Sequence, residues 1–363
     1  MPRPIHQLMA ALSYGDAVSD DALAIQAHLR AAGFQSDIFA EHAHPRLASR
    51  CRRLWEYGAV SSAETVCLFH FAIGSGAGRF IFQAPDRLVT RYHNITPPEL
   101  LAAFLPHLAR QCHQGRLELQ AFAARTELGL GVSEFNRREL EAAGYRRTGV
   151  VPVTVDPDAF AAGPASAVVR SVFADGRTNV LFVGRIIPNK KIDDLIRSFA
   201  FFQKYVKPQS RLLLVGDHRG FERYFDRLQE LVRELRVDEV VFTGQVDDDE
   251  LYAYYRLADV FLCLSEHEGF GVPLQEAMLF GVPVVAYDAG AVRETLRGGG
   301  LLLEDKSPEL VAELLDRVTH GGDLRRVVIA SQARAAAGIR ATDFGALILD
   351  RLRPVLECAS PAR

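Results

Sequence analysis

The sequence predicts an α/β protein built from two parallel-sheet, Rossmann-like domains, and three observations support this fold class. The length of 363 residues suits about two domains. Short apolar runs alternate with amphipathic stretches, as they do where crossover helices join parallel strands. Several runs in the second half are apolar throughout, which is typical of strands covered on both faces.

The first domain should occupy residues 1–150 and begin with a strand, a helix that ends near Gly33, and a second strand. The apolar runs predict strands at 5–12, 34–39, 65–71, 87–92 and 128–132. Helical periodicity predicts helices at 20–32, 97–113 and 136–143.

A linker is expected over 151–177, where proline and glycine are frequent and periodicity is weak. The second domain should cover 178–340, with strands at 179–184, 211–216, 239–244, 259–264 and 282–287. Within 341–363, one apolar face predicts a C-terminal helix that crosses back to the first domain; it comprises Phe344, Leu347, Ile348, Leu352 and Leu356.

Charge and cysteine content restrict the partners and the compartment. The chain has 42 basic and 45 acidic residues and a net charge of −3, so no basic field attracts nucleic acid. The five cysteines are scattered and form no Cys-x-x-Cys pair, which is typical of reduced thiols in a cytoplasmic protein. The apolar patch at 8–12 is too short for a signal peptide, and no run approaches the roughly 18–20 residues of a membrane span.

The most informative stretch is SEHEGFGVPLQEAMLFGVPVVAY, residues 265–287. A glycine-interrupted loop follows a buried strand and leads into a helix with Pro273 in its first turn. In open α/β sheets ligands bind at the carboxyl ends of strands, and a helix N-terminus there attracts an anion such as a diphosphate. Glu268 and Glu276 can face one crevice and accept hydrogen bonds from sugar hydroxyls; the alternative is two solvated surface carboxylates.

A second motif, GRIIPNKKI at 184–192, places cations after another buried strand. Arg185 and Lys191 would lie at the same edge of the sheet and neutralise a leaving phosphate. The role of Lys190 is ambiguous, and a solvated turn is the alternative for the whole run.

These two motifs resemble the donor domain of glycosyltransferase family 4. The first half adds SYGDAVSD, YHNITPPEL (92–100) and GVSEFNRREL (131–140), so the resemblance covers nearly the whole chain. These N-terminal motifs are similar to those of bacterial polysaccharide-type members. It implies the GT-B fold, two Rossmann-like domains facing a cleft. It also implies retaining transfer of a sugar from a GDP- or UDP-linked donor, such as a mannose donor, to a hydroxyl of a glycan or lipid-linked glycan. No metal and no cofactor are expected.

The resemblance further implies the roles of individual residues. Arg185 and Lys191 would hold the diphosphate, Glu276 the ribose and Glu268 the donor sugar, while His93 would lie near the reacting sugar carbon. Further donor contacts would come from Gly15, Gly184, Thr243, Gly244, Val246, Gly269, Phe270, Gly271 and Val272. Weaker acceptor-side candidates are Asp16, His70 and Ser75; His70 precedes the glycine-rich stretch 73–78 and Ser75 lies within it.

A basic amphipathic helix is predicted over 44–57, with Arg46, Arg50 and Arg53 on one face and Trp55 at its edge. Such a helix would dock peripherally on the inner face of the cell membrane; the alternative is an ordinary solvated helix. Two other functions stay open on the same architecture. One is a sugar-nucleotide epimerase, and the other is a non-catalytic subunit that binds nucleotide sugars.

Overall fold

The computed structural model describes residues 3–155, 157 and 163–357, which form two compact units. The first unit contains the described residues up to Glu99, Pro106–Thr154, and those from Asp343 onward. The second unit contains Leu100–Leu105 and the described part of Val155–Thr342. Cys358 and part of the expected linker lie outside the described residues.

The first unit is built on a seven-stranded parallel sheet. Its strands are β1 (Ile5–Leu12), β2 (Ile38–Ala43), β3 (Arg52–Arg53), β4 (Val66–Phe71), β5 (Arg87–Tyr92), β6 (Thr126–Gly131) and β7 (Thr148–Val150). They lie in the order β3-β2-β1-β4-β5-β6-β7, so the strand order reverses between β1 and β4. In a doubly wound sheet this switch point is where loops separate and ligands bind.

Helices of the first half connect these strands. They are α1 (Ala17–Ala31), α2 (Gly76–Gln83), α3 (Glu99–Ala102), α4 (Pro106–Ala123) and α5 (Glu134–Ala142). The predicted strands β1 and β5 have the bounds expected from the sequence. The second strand is displaced, because the backbone ladder with β1 continues through His42 and Ala43 although their side chains add no apolar signal.

The second unit is built on a six-stranded parallel sheet in the order β10-β9-β8-β11-β12-β13. Its strands are β8 (Thr178–Val183), β9 (Ser210–Val215), β10 (Val240–Gly244), β11 (Val260–Cys263), β12 (Val284–Tyr287) and β13 (Leu301–Leu303). Its helices are α6 (Ala167–Phe173), α7 (Ile192–Tyr205), α8 (Glu222–Leu235), α9 (Asp248–Leu257), α10 (Val272–Leu279), α11 (Val292–Leu296), α12 (Pro308–Thr319) and α13 (Asp323–Arg340). Helix α6 lies within the segment expected to be a linker.

The C-terminal helix α14 (Phe344–Glu357) belongs to the first unit. Its buried face packs in the same apolar cluster as Ile5 of β1, Ile25 of α1 and Val89 of β5; that face comprises Phe344, Ile348, Leu352 and Val355. The apolar core of the first unit is therefore completed by the last described helix of the chain.

The predicted amphipathic helix over 44–57 is wrong. Two short 3₁₀ turns, Pro45–Arg50 and Leu54–Ala59, flank β3, whose backbone pairs in parallel with β2. The backbone of Arg52 and Arg53 is therefore extended, at positions where a continuous helix would need helical backbone. The arginines consequently do not share a face: the guanidinium of Arg46 lies over the Tyr14 ring at 4.8 Å, and that of Arg53 lies over Trp55 at 5.7 Å. Among the described residues, none of the helices combines the length and the apolar character needed to cross a bilayer.

Candidate functional site

The carboxyl edge of the second sheet is shaped by glycines that follow neighbouring strands. Gly184 ends the β8 run with φ 148°, and Gly216 follows β9 with φ 151°. A β-carbon on Gly216 would clash with the carbonyl oxygen of Gly184, so only glycine fits this close backbone approach. Arg185 follows directly, and its guanidinium lies 5.1 Å from the centroid of the Phe221 ring. The structure therefore places this predicted cation at the strand end, packed on an aromatic face.

The two adjacent lysines have different partners. The ammonium of Lys190 lies 2.7 Å from both carboxylate oxygens of Glu268. Lys191 adopts a left-handed conformation, φ 53°, and its ammonium contacts Asp193 at 3.0 Å. Asp194 lies 3.7 Å from the same ammonium. The predicted diphosphate ligand Lys191 is thus paired within the first turn of α7, and Lys190 is the lysine that reaches the glutamate loop.

The local sequence contains a sign that distinguishes the two lysines. The pair Asp193–Asp194 stands in the first helical turn after Lys191, where carboxylates are favoured and lie within reach of the preceding lysine. A lysine beside two such carboxylates is partly neutralised, whereas Lys190 has no acidic residue among its next two neighbours.

Glu268 is 6% exposed, and backbone contacts hold its loop in place. The Ala291 N–H donates to the Glu268 carbonyl at 2.9 Å. Asn189 connects the loop to the lysine segment: its carbonyl accepts from the Glu266 N–H at 2.9 Å, and its side-chain amide donates to the His267 carbonyl at 3.3 Å. These bonds tie residues 189–190 to residues 266–268, and sequence reasoning missed the part played by Asn189.

Helix α10 begins directly after this loop. Gly271, with φ 90°, is its N-cap residue, and Pro273 occupies the first turn, as predicted. Phe270 is buried, and its carbonyl accepts a hydrogen bond from the Thr295 hydroxyl. Gly269 precedes Phe270, and Val272 is the first residue of α10. The predicted GFGV segment therefore leads into a helix N-terminus, which favours anions.

Glu276 lies one turn into α10 and is oriented by a buried tyrosine. The Tyr255 hydroxyl donates to Glu276 Oε2 at 2.6 Å. Burial, together with the Glu276 charge, raises the pKa of Tyr255 well above its usual value, so the hydroxyl stays protonated. The contact therefore fixes the direction of the carboxylate.

Three of the predicted donor contacts, Thr243, Gly244 and Val246, lie at or just after the end of β10 and make contacts within the fold. The Thr243 hydroxyl donates to the Gly244 carbonyl at 2.8 Å, and the same carbonyl accepts from the Gly216 N–H at 3.1 Å. The Val246 side chain packs against the apolar core of the second unit.

In the first unit, His70 and His93 lie side by side. His70 Nδ1 is 2.9 Å from His93 Nε2, and His70 Nε2 is 2.8 Å from Gln7 Oε1. Burial, with the positive charge of Arg91, lowers the pKa of His70 to about 3. Burial, with His70 and Arg91, lowers the pKa of His93 well below 6.5. Both imidazoles are therefore neutral near pH 7.

The next residue, Asn94, has φ 81°, a conformation that asparagine tolerates better than most residues. Its amide donates to Asn136 Oδ1 at 2.8 Å and to Glu139 Oε2 at 2.7 Å. These contacts anchor the loop that carries His93.

Two of the weaker candidates have clear structural roles. Asp16 is the N-cap of α1 and accepts from the Ser19 N–H at 3.2 Å, next to Gly15 with φ 68°. Ser75 is the N-cap of α2 and accepts from the Gly78 N–H at 3.1 Å. Both residues stabilise helix starts at the carboxyl edge of the first sheet.

Among the described residues, Asp21, His70 and His93 offer metal-ligand atoms within 4.8 Å of one another. Their donors are already engaged, because both Asp21 oxygens accept from the Arg91 guanidinium at 2.9 Å. The two imidazoles bond to each other, and a cation would face the arginine charge. This cluster does not fit a metal site.

Residues 168–335, which lie in the second unit, match the family model "Glycosyl transferases group 1". A D-inositol 3-phosphate glycosyltransferase of Kineococcus radiotolerans is 34% identical over 227 residues, 57% of this chain and 52% of that protein. A GDP-mannose-dependent alpha-(1-6)-phosphatidylinositol monomannoside mannosyltransferase of Mycobacterium tuberculosis is 32% identical over 203 residues, 51% of each chain. The chain spans about half the length of the curated relatives it matches.

Solved structures resemble the chain over almost its full length. Sucrose-phosphate synthase of Thermosynechococcus elongatus has a TM-score of 0.76 at 20% identity, covering 98% of this chain and 99% of its own. The Anabaena protein HepE, solved with UDP and glucose, has a TM-score of 0.71 at 19% identity, with coverage of 98% and 99%. The predicted fold class, two Rossmann-like domains of the GT-B type, is confirmed.

Proposed function

We propose that this chain is a retaining, family 4 glycosyltransferase that moves a sugar from a nucleotide-diphosphate donor to a hydroxyl of a glycan or lipid-linked glycan. The observation that carries this proposal is the arrangement at the carboxyl edge of the second sheet. There, Arg185 and the Lys190–Glu268 pair follow glycine-lined strand ends, and the Glu268 loop enters a helix N-terminus. Two cations and a helix N-terminus suit a diphosphate, and carboxylates suit sugar hydroxyls.

The donor is proposed to bind through charge and hydrogen bonds from this edge. Arg185 and Lys190 would contact the diphosphate, with Lys191 as the alternative lysine. Glu276, directed by Tyr255, would accept hydrogen bonds from the ribose hydroxyls. Glu268 would accept from a hydroxyl of the transferred sugar and would share the Lys190 ammonium with the phosphates. His93, in the first unit, is proposed to contact a sugar hydroxyl.

The base of the donor is proposed to be guanine or uracil. One relative is named as GDP-mannose-dependent, and HepE was solved with UDP. Mannose is therefore one proposed transferred sugar. Synthesis of cell-surface polysaccharide is the proposed setting, in the cytoplasm or at the inner face of the membrane.

The proposed chemistry requires no separate base. The bond between the anomeric carbon and the phosphate oxygen breaks as the acceptor oxygen attacks from the same face. The leaving diphosphate takes the acceptor proton, and the arginine and lysine stabilise its growing charge. No metal and no cofactor enter this proposal.

A membrane contact is proposed from Trp55 and Arg53, and not from an amphipathic helix. Trp55 is 75% exposed and its ring lies beside the Arg53 guanidinium, a pairing suited to an anionic interface. Sedimentation with anionic vesicles tests it: binding should fall for Trp55→Ser and for Arg53→Glu. Equal binding by the wild type and both variants would refute the contact.

The function is tested by calorimetric titration of the protein with GDP, UDP and ADP, each with and without a chelator. Chelator-insensitive micromolar binding of one nucleotide is expected. Lys190→Ala should weaken this binding, while Lys204→Ala, at an exposed lysine of α7, should not.

Turnover then separates the three functions. Sugar transfer that depends on an added acceptor supports the transferase. Conversion of the donor sugar to its epimer without acceptor would identify an epimerase. Nucleotide-sugar binding without either reaction, for every donor and acceptor tried, would identify a non-catalytic subunit.

A further inference from the structure

Three side chains form a continuous hydrogen-bonded row through the centre of the first sheet. It begins at the Ala22 carbonyl of α1, which accepts from Gln7 Nε2 at 3.0 Å. Gln7 Oε1 then lies 2.8 Å from His70 Nε2, and His70 Nδ1 lies 2.9 Å from His93 Nε2. The row connects β1, β4 and the loop after β5, across the switch point of the sheet.

The direction of every proton in this row follows from its first bond. A carbonyl only accepts, so the Gln7 amide nitrogen must face Ala22 and its oxygen must face His70. His70 Nε2 must then carry a proton. Because His70 is neutral, its Nδ1 is a bare acceptor, and His93 Nε2 must carry the proton between the two rings.

The surroundings of His93 favour the same arrangement. Asp21 Oδ2 lies 3.7 Å from His93 Nε2, so its charge also favours a proton on that nitrogen. Arg91 holds Asp21 by two bonds of 2.9 Å and keeps this carboxylate oriented. Among residues 3–155, 157 and 163–357, no side chain hydrogen-bonds to His93 Nδ1.

We propose that Gln7 is a positioning residue that acts through His70 to hold His93 in the form protonated on Nε2, with Nδ1 free to accept a hydrogen bond from a sugar hydroxyl. The sugar as partner rests on the proposed function, whereas the proton arrangement rests on this row alone. Since the pKa of His93 is well below 6.5, its Nδ1 is a weak base. His93 therefore orients a hydroxyl rather than deprotonating it.

The proton arrangement is tested by ¹H–¹⁵N spectra of the protein labelled with ¹⁵N-histidine, with the His93→Gln variant used for assignment. Between pH 6.5 and 8 His93 should be neutral, with a protonated Nε2 and a bare Nδ1. A wild-type spectrum with the proton on Nδ1, or with a cationic His93, overturns the proposal.

Gln7→Leu removes the start of the row and should allow His93 to exchange between its two neutral forms. The matched control is Gln26→Leu, because Gln26 is another buried glutamine whose amide donates to a backbone carbonyl, that of Ser36 at 3.1 Å. The control should leave the His93 spectrum unchanged. A single Nε2-protonated form in Gln7→Leu also overturns the proposal.

Turnover gives an independent readout. Gln7→Leu should lower kcat about tenfold while the KM for the nucleotide sugar stays within about twofold, because donor binding by the second unit is untouched. His70→Asn keeps an amide oxygen near the position of Nδ1 and should retain more kcat than His70→Leu. This second pair tests the proposal even if Gln7→Leu fails to fold, and equal kcat values for the pair would contradict it.

Failure of the proposed function gives a different result. If no nucleotide sugar is turned over, the transferase is refuted, but the spectra still decide whether Gln7 sets the protonation of His93.

Discussion

The ammonium of Lys190 lies between the two carboxylate oxygens of Glu268, 2.7 Å from each, although 78 residues separate them in sequence. This pair joins the segment after β8 to the loop after β11. A buried carboxylate that is paired with an ammonium can share that partner with an incoming anion. The relationship therefore connects the phosphate-binding and sugar-binding parts of the proposed donor site.

Lys190→Ala should weaken nucleoside-diphosphate binding by about tenfold or more, because a charge-assisted contact contributes on the order of 1.5–3 kcal/mol. Lys191→Ala should change it by less than about twofold, since Asp193 already holds that ammonium. Calorimetric titration measures both. The opposite ranking would return the phosphate role to Lys191. Circular dichroism of both variants controls for misfolding, because Lys190→Ala leaves Glu268 buried and unpaired.

Glu276→Ala should remove the preference for an intact ribose. The wild type is expected to bind a nucleoside diphosphate about tenfold more tightly than its 2′,3′-dideoxy analogue, since carboxylate–hydroxyl hydrogen bonds contribute on the order of 1.5 kcal/mol. In the variant the two ligands should bind equally. Tyr255→Phe, which frees the carboxylate to rotate, should give an intermediate ratio. A preference that persists in Glu276→Ala means that other groups contact the ribose.

Stability should fall as the pH drops below about 6.5. The pKa of His70 is lowered to about 3 in the folded protein, so the unfolded chain binds more protons between these two values. The histidine contribution to the free energy of unfolding is therefore complete above about pH 6.5. It declines toward pH 3, by at most about 1.4 kcal/mol per pH unit for each such histidine. His93, whose pKa is lowered by burial and by His70 and Arg91, acts in the same direction.

Urea unfolding at several pH values measures this slope. His70→Asn should flatten it, whereas Gln26→Leu, which removes no titratable group, should leave it unchanged. An unaltered slope in His70→Asn would show that His70 titrates alike in both states.

Gly216→Ala and Gly220→Ala separate a steric clash from backbone strain. Both glycines have positive φ, 151° and 83°, but only Gly216 has a backbone atom in the way of a β-carbon. Gly220→Ala should lower the free energy of unfolding by about 1–2 kcal/mol, and Gly216→Ala should lower it by at least about 2 kcal/mol more. Denaturant midpoints give the difference. Equal losses of stability in the two variants would mean that the ends of β8 and β9 move apart without a loss of free energy.

Ile348→Ala in α14 should lower the unfolding free energy of the first unit by about 2–5 kcal/mol, because a fully buried side chain is removed from a packed core. Arg353→Ala, on the exposed side of the same helix, should change it by less than about 0.5 kcal/mol. Thermal melts compare the two. A small effect of Ile348→Ala would indicate that the helix contributes little to that core.

The sequence predicts most of this fold because buried parallel strands are marked by their apolar runs, and β5 needs no correction at all. Runs of side chains do not report backbone pairing, however. For this reason the sequence pattern predicts a helix at the two arginines of β3. For the same reason β2 ends later than its hydropathy predicts. The three leucines of β13 are too short a run to indicate a strand by themselves.

A motif that fixes both residue type and spacing predicts where Arg185 and Glu276 lie along the second sheet and α10, while their binding roles are proposals. The choice between Lys190 and Lys191 depends on one left-handed residue, which redirects neighbouring side chains without leaving a hydropathy signal. Gln7 and Asn189 act through contacts between distant segments. A polar residue inside an apolar strand, as at Gln7, is the one local sign of such a contact.

The place of α14 in the first core affects the order in which the protein matures during synthesis. Strands β1 to β7 leave the ribosome early, but the helix that covers their core is translated about 190 residues later than β7. The second unit has all its strands by Leu303 and its described helices by Arg340, so it can fold while the first still exposes apolar surface. Pulse-labelled nascent chains should therefore become protease-resistant in the second unit first, and chaperone binding should concentrate on the N-terminal half until residues 344–355 emerge.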